Sequence, residues 1–110
     1  MIEVDDKRTF EQHLKENKRV LALFYASWCP FCRSFLSVFD RDAAKQGVNL
    51  AIRVKVDDYD NPLWDEYCIE AVPTVIFFVE GEVCMRLDGR LGCGLNEKQF
   101  TEWLARAKIS

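Results

Sequence analysis

No apolar run in this chain is long enough to cross a membrane. The longest, VLALFYA (20–26) and AVPTVIFFV (71–79), fall far below the ~18 residues that a spanning helix needs. Nor is there an excess of one charge: 15 basic and 18 acidic residues leave a net charge of −3. That balance removes the electrostatic ground for nucleic acid or an anionic membrane as a partner. The N-terminus, MIEVDDKR, lacks a basic segment followed by an apolar core, so no secretory signal is expected. Repeats, low-complexity tracts and linkers are missing too, and residues 1–110 read as one domain.

Cysteine is too sparse for a stapled scaffold. There are five, Cys29, Cys32, Cys68, Cys84 and Cys93, an odd number with a single close pair. Secreted disulfide frameworks use even numbers at higher density. A reducing, cytoplasmic setting with most thiols free is expected. Hydrophobic residues make up 49% of the chain, enough to bury a core without covalent help.

What is present is an alternation of two periodicities. MIEV is a short strand. TFEQHLKEN (9–17) starts with Thr9 and has Gln12 three residues on, a capping-box spacing, with Phe10 and Leu14 on one helical face. VLALFYA reads as a strand buried on both faces. Phe31, Phe35, Val38 and Phe39 then recur at helical spacing, with Pro30 suited to the first helical position and Gly47 to the stop. NLAIRVKVD (49–57) alternates, with Ile52, Val54 and Val56 on one side. Asn61-Pro62 opens a short helix through Tyr67. TVIFFVE (74–80) and VCMRLD (83–88) flank a tight turn at Gly81, and a last helix runs over 96–108 with Asn96 and Gln99 as its capping box. The order β-α-β-α-β-α-β-β-α predicts an α/β fold, a parallel sheet extended by an antiparallel hairpin.

Between the second strand and its helix lies SWCPFC (27–32). Two thiols at this spacing hold zinc or exchange electrons. A structural zinc site needs four ligands. Beyond Cys29 and Cys32 the chain offers only scattered cysteines and one histidine, His13, with no second close pair. The redox reading fits better. A cysteine at the N-cap faces unpaired amide groups and the positive end of the helix dipole, which favours thiolate, and Arg33 adds a cation nearby. Cys32, one turn in, is shielded and placed to attack the Cys29 sulfur.

LALFYASWCPFC, AVPTVIFFVEGE and GLNEKQFTEWL together resemble the thioredoxin family over essentially the whole chain. The resemblance implies a thioredoxin-like fold, a central mixed sheet of about five strands flanked by about four helices. It implies that Cys29 is the nucleophile and Cys32 the resolving thiol, supported by Trp28, Pro30, Phe31 and Arg33. Pro73 would be a cis-proline facing the thiols. Val72 would pair with an extended substrate segment, in a substrate-binding surface that also takes in Thr74, Gly92 and Cys93. The implied activity is reduction of protein disulfides by a monomer that needs no bound cofactor or metal. A thioredoxin-reductase-like enzyme or a small thiol would recharge it.

The sequence also departs from the family. Pro30-Phe31 replaces the usual Gly-Pro and looks like glutaredoxins, which keeps a glutaredoxin-like or oxidising enzyme as an alternative. A binding module on the same fold, with or without zinc, is a lesser one. Leu23 stands where the family has a buried carboxylate, its basic neighbour falling near Arg53, so deprotonation of Cys32 lacks its usual base. Ser37 replaces a helix proline, from which a straighter helix is expected. Cys68 and Cys84 are expected in the core as inert thiols, and Cys93 on the surface, as a bland residue or a third redox thiol. His13 reads as a surface or core histidine, and Asp57, Asp58 and Asp60 as a solvated loop.

Overall fold

The computed structural model describes residues 1–107 and 109. Nine elements follow in the expected order: β1 (Ile2–Val4), α1 (Lys7–Glu16), β2 (Arg19–Tyr25), α2 (Pro30–Ala43), β3 (Leu50–Lys55), α3 (Leu63–Glu66), β4 (Thr74–Val79), β5 (Glu82–Asp88) and α4 (Glu97–Ala107). The sheet order is β1-β3-β2-β4-β5, with β1, β3 and β2 parallel and β4 and β5 antiparallel to their neighbours. Among the described residues no helix is long and apolar enough to cross a membrane.

β2 lies at the centre, and its six residues from Val20 to Tyr25 are all buried. Alternate residues serve opposite faces. Phe24 and Phe78 meet Phe10 of α1 edge-on, at 5.5 Å each, and Tyr67 joins them from the end of α3. On the other face Phe35 and Phe39 of α2 pack on Phe100 of α4, with Trp103 stacked behind. A sheet covered on both faces explains why β2 is apolar throughout rather than alternating.

Several boundaries differ from expectation. α1 is capped by Asp6, not Thr9. The Asp6 carboxylate accepts the Thr9 N–H (2.8 Å), which holds its pKa below the usual value. α2 ends at Ala43, and hydrogen-bonded turns carry the chain through Gln46 before Gly47. The hairpin turn is Glu80-Gly81, both with positive φ, one residue earlier than the sequence suggests. The Asn96–Gln99 capping box forms as expected, both bonds at 2.9 Å. The last helix's expected end, Lys108, lies outside the described residues.

Two cysteines expected in the core are exposed. Cys68 ends α3 in the left-handed region (φ 51°), where its own N–H reaches Asp65 O (3.2 Å) and the Ile69 N–H reaches Trp64 O (2.8 Å). That is a Schellman closure, and it turns the side chain outward. Cys84 is the extra residue of a bulge: Phe77 pairs with Met85 and Phe78 with Val83. A bulge on an edge strand redirects the side chain.

Candidate active site

The site is built where β2 ends and α2 begins. Pro30 is the first helical residue and Cys29 the N-cap, as the spacing predicts. The sulfur-to-amide cap contact expected for Cys29 does not form. Its Sγ–H points instead to Val72 O at 3.7 Å. Val72–Pro73 is a cis peptide, so the thiol and the cis-proline turn face each other. Cys32 is fully buried beside Cys29. Burial pushes the Cys32 thiol up to about 12; hydrogen bonding to the Cys29 thiol and the Asp57 charge add to that rise, against a backbone hydrogen bond at Ala26 that lowers it.

Sequence reasoning assigned Asp57 to a solvated loop, and the structure corrects this. Its carboxylate accepts both the Ser27 N–H (2.7 Å) and the Ser27 hydroxyl, while its backbone oxygen accepts from Trp28 Nε1 (2.9 Å). Burial raises its pKa, but the Ser27 hydrogen bonds outweigh this and hold the carboxyl below its ordinary value. Asp57 therefore fixes the two residues that precede Cys29. The parallel register of β2 and β3 brings the chain beyond Lys55 alongside the chain beyond Tyr25, a signal that strand pairing makes available. Asp58 and Asp60 are exposed, as expected.

A cleft of about 220 Å³ opens over the thiol, with Trp28, Cys29, Phe31, Val72, Arg90 and Gly92 among its lining. Phe31 is 40% exposed and Trp28 48%, an apolar surface beside Cys29. Other expected residues fall elsewhere. Thr74 is completely buried, its hydroxyl donating to Ala71 O (2.7 Å), so its side chain holds the turn from beneath rather than facing a substrate. Arg33 is exposed on α2, with no ion pair among the described residues. Cys93 is exposed on the 90–94 loop but does not line the cleft. Among the described residues, no three His, Cys, Asp or Glu side chains gather as a metal site.

Two glycines were missed by sequence reasoning. A Cβ on Gly89 would stand 2.2 Å from Pro73 O, and one on Gly94 would stand 2.4 Å from Phe31 Cβ. Both let the segment after β5 close against the site. Gly92 has open space around it at φ +77°.

Leu23 is completely buried on the α2 face of β2. The nearby cation, Arg53, bonds Asp40 of α2 through Nε (3.0 Å) and Nη2.

Residues 1–105 match the family model described as Thioredoxin. A thioredoxin of Mycoplasmoides gallisepticum is 35% identical over 92 residues, 84% of this chain and 88% of that one. A bifunctional thioredoxin reductase/thioredoxin of Mycobacterium leprae is 35% identical over 92 residues, 83% of this chain but 20% of that longer protein. The crystal structure of a reduced Schistosoma mansoni thioredoxin pre-protein shares the fold, with a TM-score of 0.78 at 24% identity over 96% of this chain and 95% of that one. Sequence match, sheet order and the thiol pair facing a cis-proline agree, and the chain belongs to the thioredoxin family as a thiol–disulfide oxidoreductase.

Proposed function

We propose that the protein reduces disulfides in other proteins, with Cys29 as nucleophile and Cys32 as resolving thiol. The observation that carries this reading is the asymmetry of the pair: Cys29 keeps 5% of its surface exposed and lines the cleft, whereas Cys32 is completely buried and does not. The Cys29 thiolate attacks one sulfur of the substrate disulfide. That S–S bond breaks, the other substrate sulfur leaves as a thiolate and takes a proton, and a mixed disulfide forms. Cys32 then loses its proton and attacks the Cys29 sulfur. The second substrate thiol leaves, and a Cys29–Cys32 disulfide remains, two electrons having passed to the substrate. Val72 offers its backbone, beside Pro73, to an extended substrate segment. Trp28, Pro30, Phe31 and Gly92 shape the surface around it.

The thiols carry the electrons themselves, so no bound cofactor or metal enters the cycle. A thioredoxin-reductase-like enzyme or a low-molecular-weight thiol returns the two electrons; the reductase-fused relative supports this. The protein works as a cytoplasmic monomer in thiol homeostasis and electron transport, a reading supported by its charge balance and sparse cysteines.

The test is reduction of insulin, followed by precipitation of its freed chains, with dithiothreitol as electron source. Cys29→Ser should reduce the rate to the dithiothreitol background. Cys32→Ser should accumulate a covalent mixed disulfide with the substrate. Full activity in Cys29→Ser ends this reading. A second reading, a glutaredoxin-like or oxidising enzyme, is favoured by Pro30-Phe31 and by the apolar surroundings of Leu23. The reduction potential of the pair separates the two. About −270 mV fits a reductant, and about −200 mV or above fits the alternative.

A further inference from the structure

One bank of the cleft beside Cys29 is aromatic. Trp28, Tyr59 and Trp64 form a row, with ring centroids 5.4 Å and 5.1 Å apart. Both indoles are tied by their edges, Trp28 Nε1 donating to Asp57 O (2.9 Å) and Trp64 Nε1 to Asp58 O (3.1 Å). An indole held through its N–H has its donor satisfied and keeps a fixed orientation. Tyr59 is 70% exposed, far more than a ring that serves only packing.

The same bank is negative. The stretch 57–70 holds Asp57, Asp58, Asp60, Asp65, Glu66 and Glu70 and no lysine or arginine. Among the described residues only Asp57 and Glu66 of these have ion pairs, with Lys55 and Lys7. Glu70 lines the cleft itself. The loop carrying Arg90, Leu91 and Gly92 lines the same cleft.

Resting on the reductase reading above, we infer that the aromatic bank is a subsite for a cationic side chain, arginine or lysine, next to the cysteine of the substrate disulfide. The ring faces of tryptophan and tyrosine attract a cation within about 6 Å of their centroids. Glu70 supplies the counter-charge. Arg90 lines the same cleft and repels a cation, so the cation is held by the rings and Glu70 alone. An acidic neighbour meets the carboxylates and is disfavoured. A neutral apolar neighbour gains from the rings but not from the charge. The cleft's volume of about 220 Å³ suits one side chain. Because Cys29 lines the same cleft, a cation held there brings the neighbouring disulfide to the nucleophile.

The test uses three disulfide-linked peptides that differ only in the residue after the cysteine, Arg, Gln or Glu, together with the neutral hydroxyethyl disulfide. Reduced protein is mixed with each, and the second-order rate constant of the single turnover is read by quenching and mass. The expected order is Arg, then Gln, then Glu, with about tenfold between the extremes at low salt and a smaller ratio at high salt. In Trp64→Ala and in Glu70→Gln the Arg-to-Glu ratio should fall to about twofold or less. A merely structural effect slows all three peptides together and leaves the ratio intact, and that result overturns the inference. Equal rates for the three peptides with the unmodified protein also overturn it. If the unmodified protein reduces none of the four disulfides, the reductase reading itself fails, and the subsite with it.

Discussion

Leu23 and Arg53 are register partners in neighbouring parallel strands, yet the Arg53 guanidinium is bound to Asp40 of α2. The ion pair therefore bridges sheet and helix, and the strand position beside Arg53, Leu23, is left apolar. Replacing Leu23 by Asp places an acid in a completely buried position, where its nearest cation is already engaged. Burial raises the pKa of such a carboxyl.

The sign of the pH dependence follows. A carboxyl whose folded pKa is raised above its unfolded value penalises the fold increasingly as pH climbs past the unfolded value, about 3.9. Leu23→Asp should therefore cost more at pH 8 than at pH 5, roughly 3–5 kcal/mol at the higher pH. Urea denaturation at both values measures it. Equal losses would show that the new carboxylate finds a partner in the fold.

The buried Cys32 thiol, proposed to resolve the mixed disulfide, makes a second pH prediction. Cys32 is pushed up to about 12 by its burial, and only the thiolate attacks. In a mixed disulfide the Cys29 thiol no longer adds to that rise but burial, its largest cause, remains, so resolution should accelerate about tenfold per pH unit from pH 6 through pH 8. Rapid-quench kinetics over that range gives the profile. A plateau near pH 8 would mean that a base takes the Cys32 proton, and Asp57 would be the first residue to replace.

Accessibility divides the five thiols. Cys68, Cys84 and Cys93 are exposed, Cys29 is buried but for 5% at the cleft, and Cys32 is completely buried. In the reduced native protein a maleimide should modify the three exposed thiols within minutes and leave Cys32 unmodified until denaturant is added. Intact mass with peptide mapping reads this directly. Protection of Cys68 or Cys84 would return them to the core.

That division also marks what the sequence made legible. Element order, the role of Pro30, the buried run of β2 and the thiol pair all follow from local pattern. Period, proline and cap residues act within a few positions of one another, so their signals survive without a fold. Cys68 and Cys84 misled because their apolar neighbours suggest burial. A left-handed closure and a β-bulge, both products of backbone geometry, turn them outward. Asp57 misled for the opposite reason. Its partner Ser27 lies thirty positions away, and an acidic loop looks the same in sequence whether or not one member turns inward.

Gly89 is the sharpest test of how the segment after β5 supports the site. It does not have a positive φ, so alanine meets no backbone strain there, only a neighbour: the added Cβ would lie 2.2 Å from Pro73 O. That atom belongs to the backbone of the cis-proline turn and has no flexible end to move aside. Either the 89–94 segment or the turn must shift. Overpacking of this kind costs typically 1–3 kcal/mol. The turn includes Val72, whose oxygen receives the Cys29 thiol, so the shift reaches Cys29. Gly89→Ala should therefore lower insulin reduction severalfold at a temperature where circular dichroism shows the variant still folded. Gly92→Ala is the contrast, since its added Cβ meets nothing within 4 Å and its cost is the left-handed backbone alone, about 1 kcal/mol. If Gly89→Ala keeps full activity while losing stability, the cis-proline turn is held from elsewhere, and the Thr74 hydroxyl bond to Ala71 O is the contact to remove next.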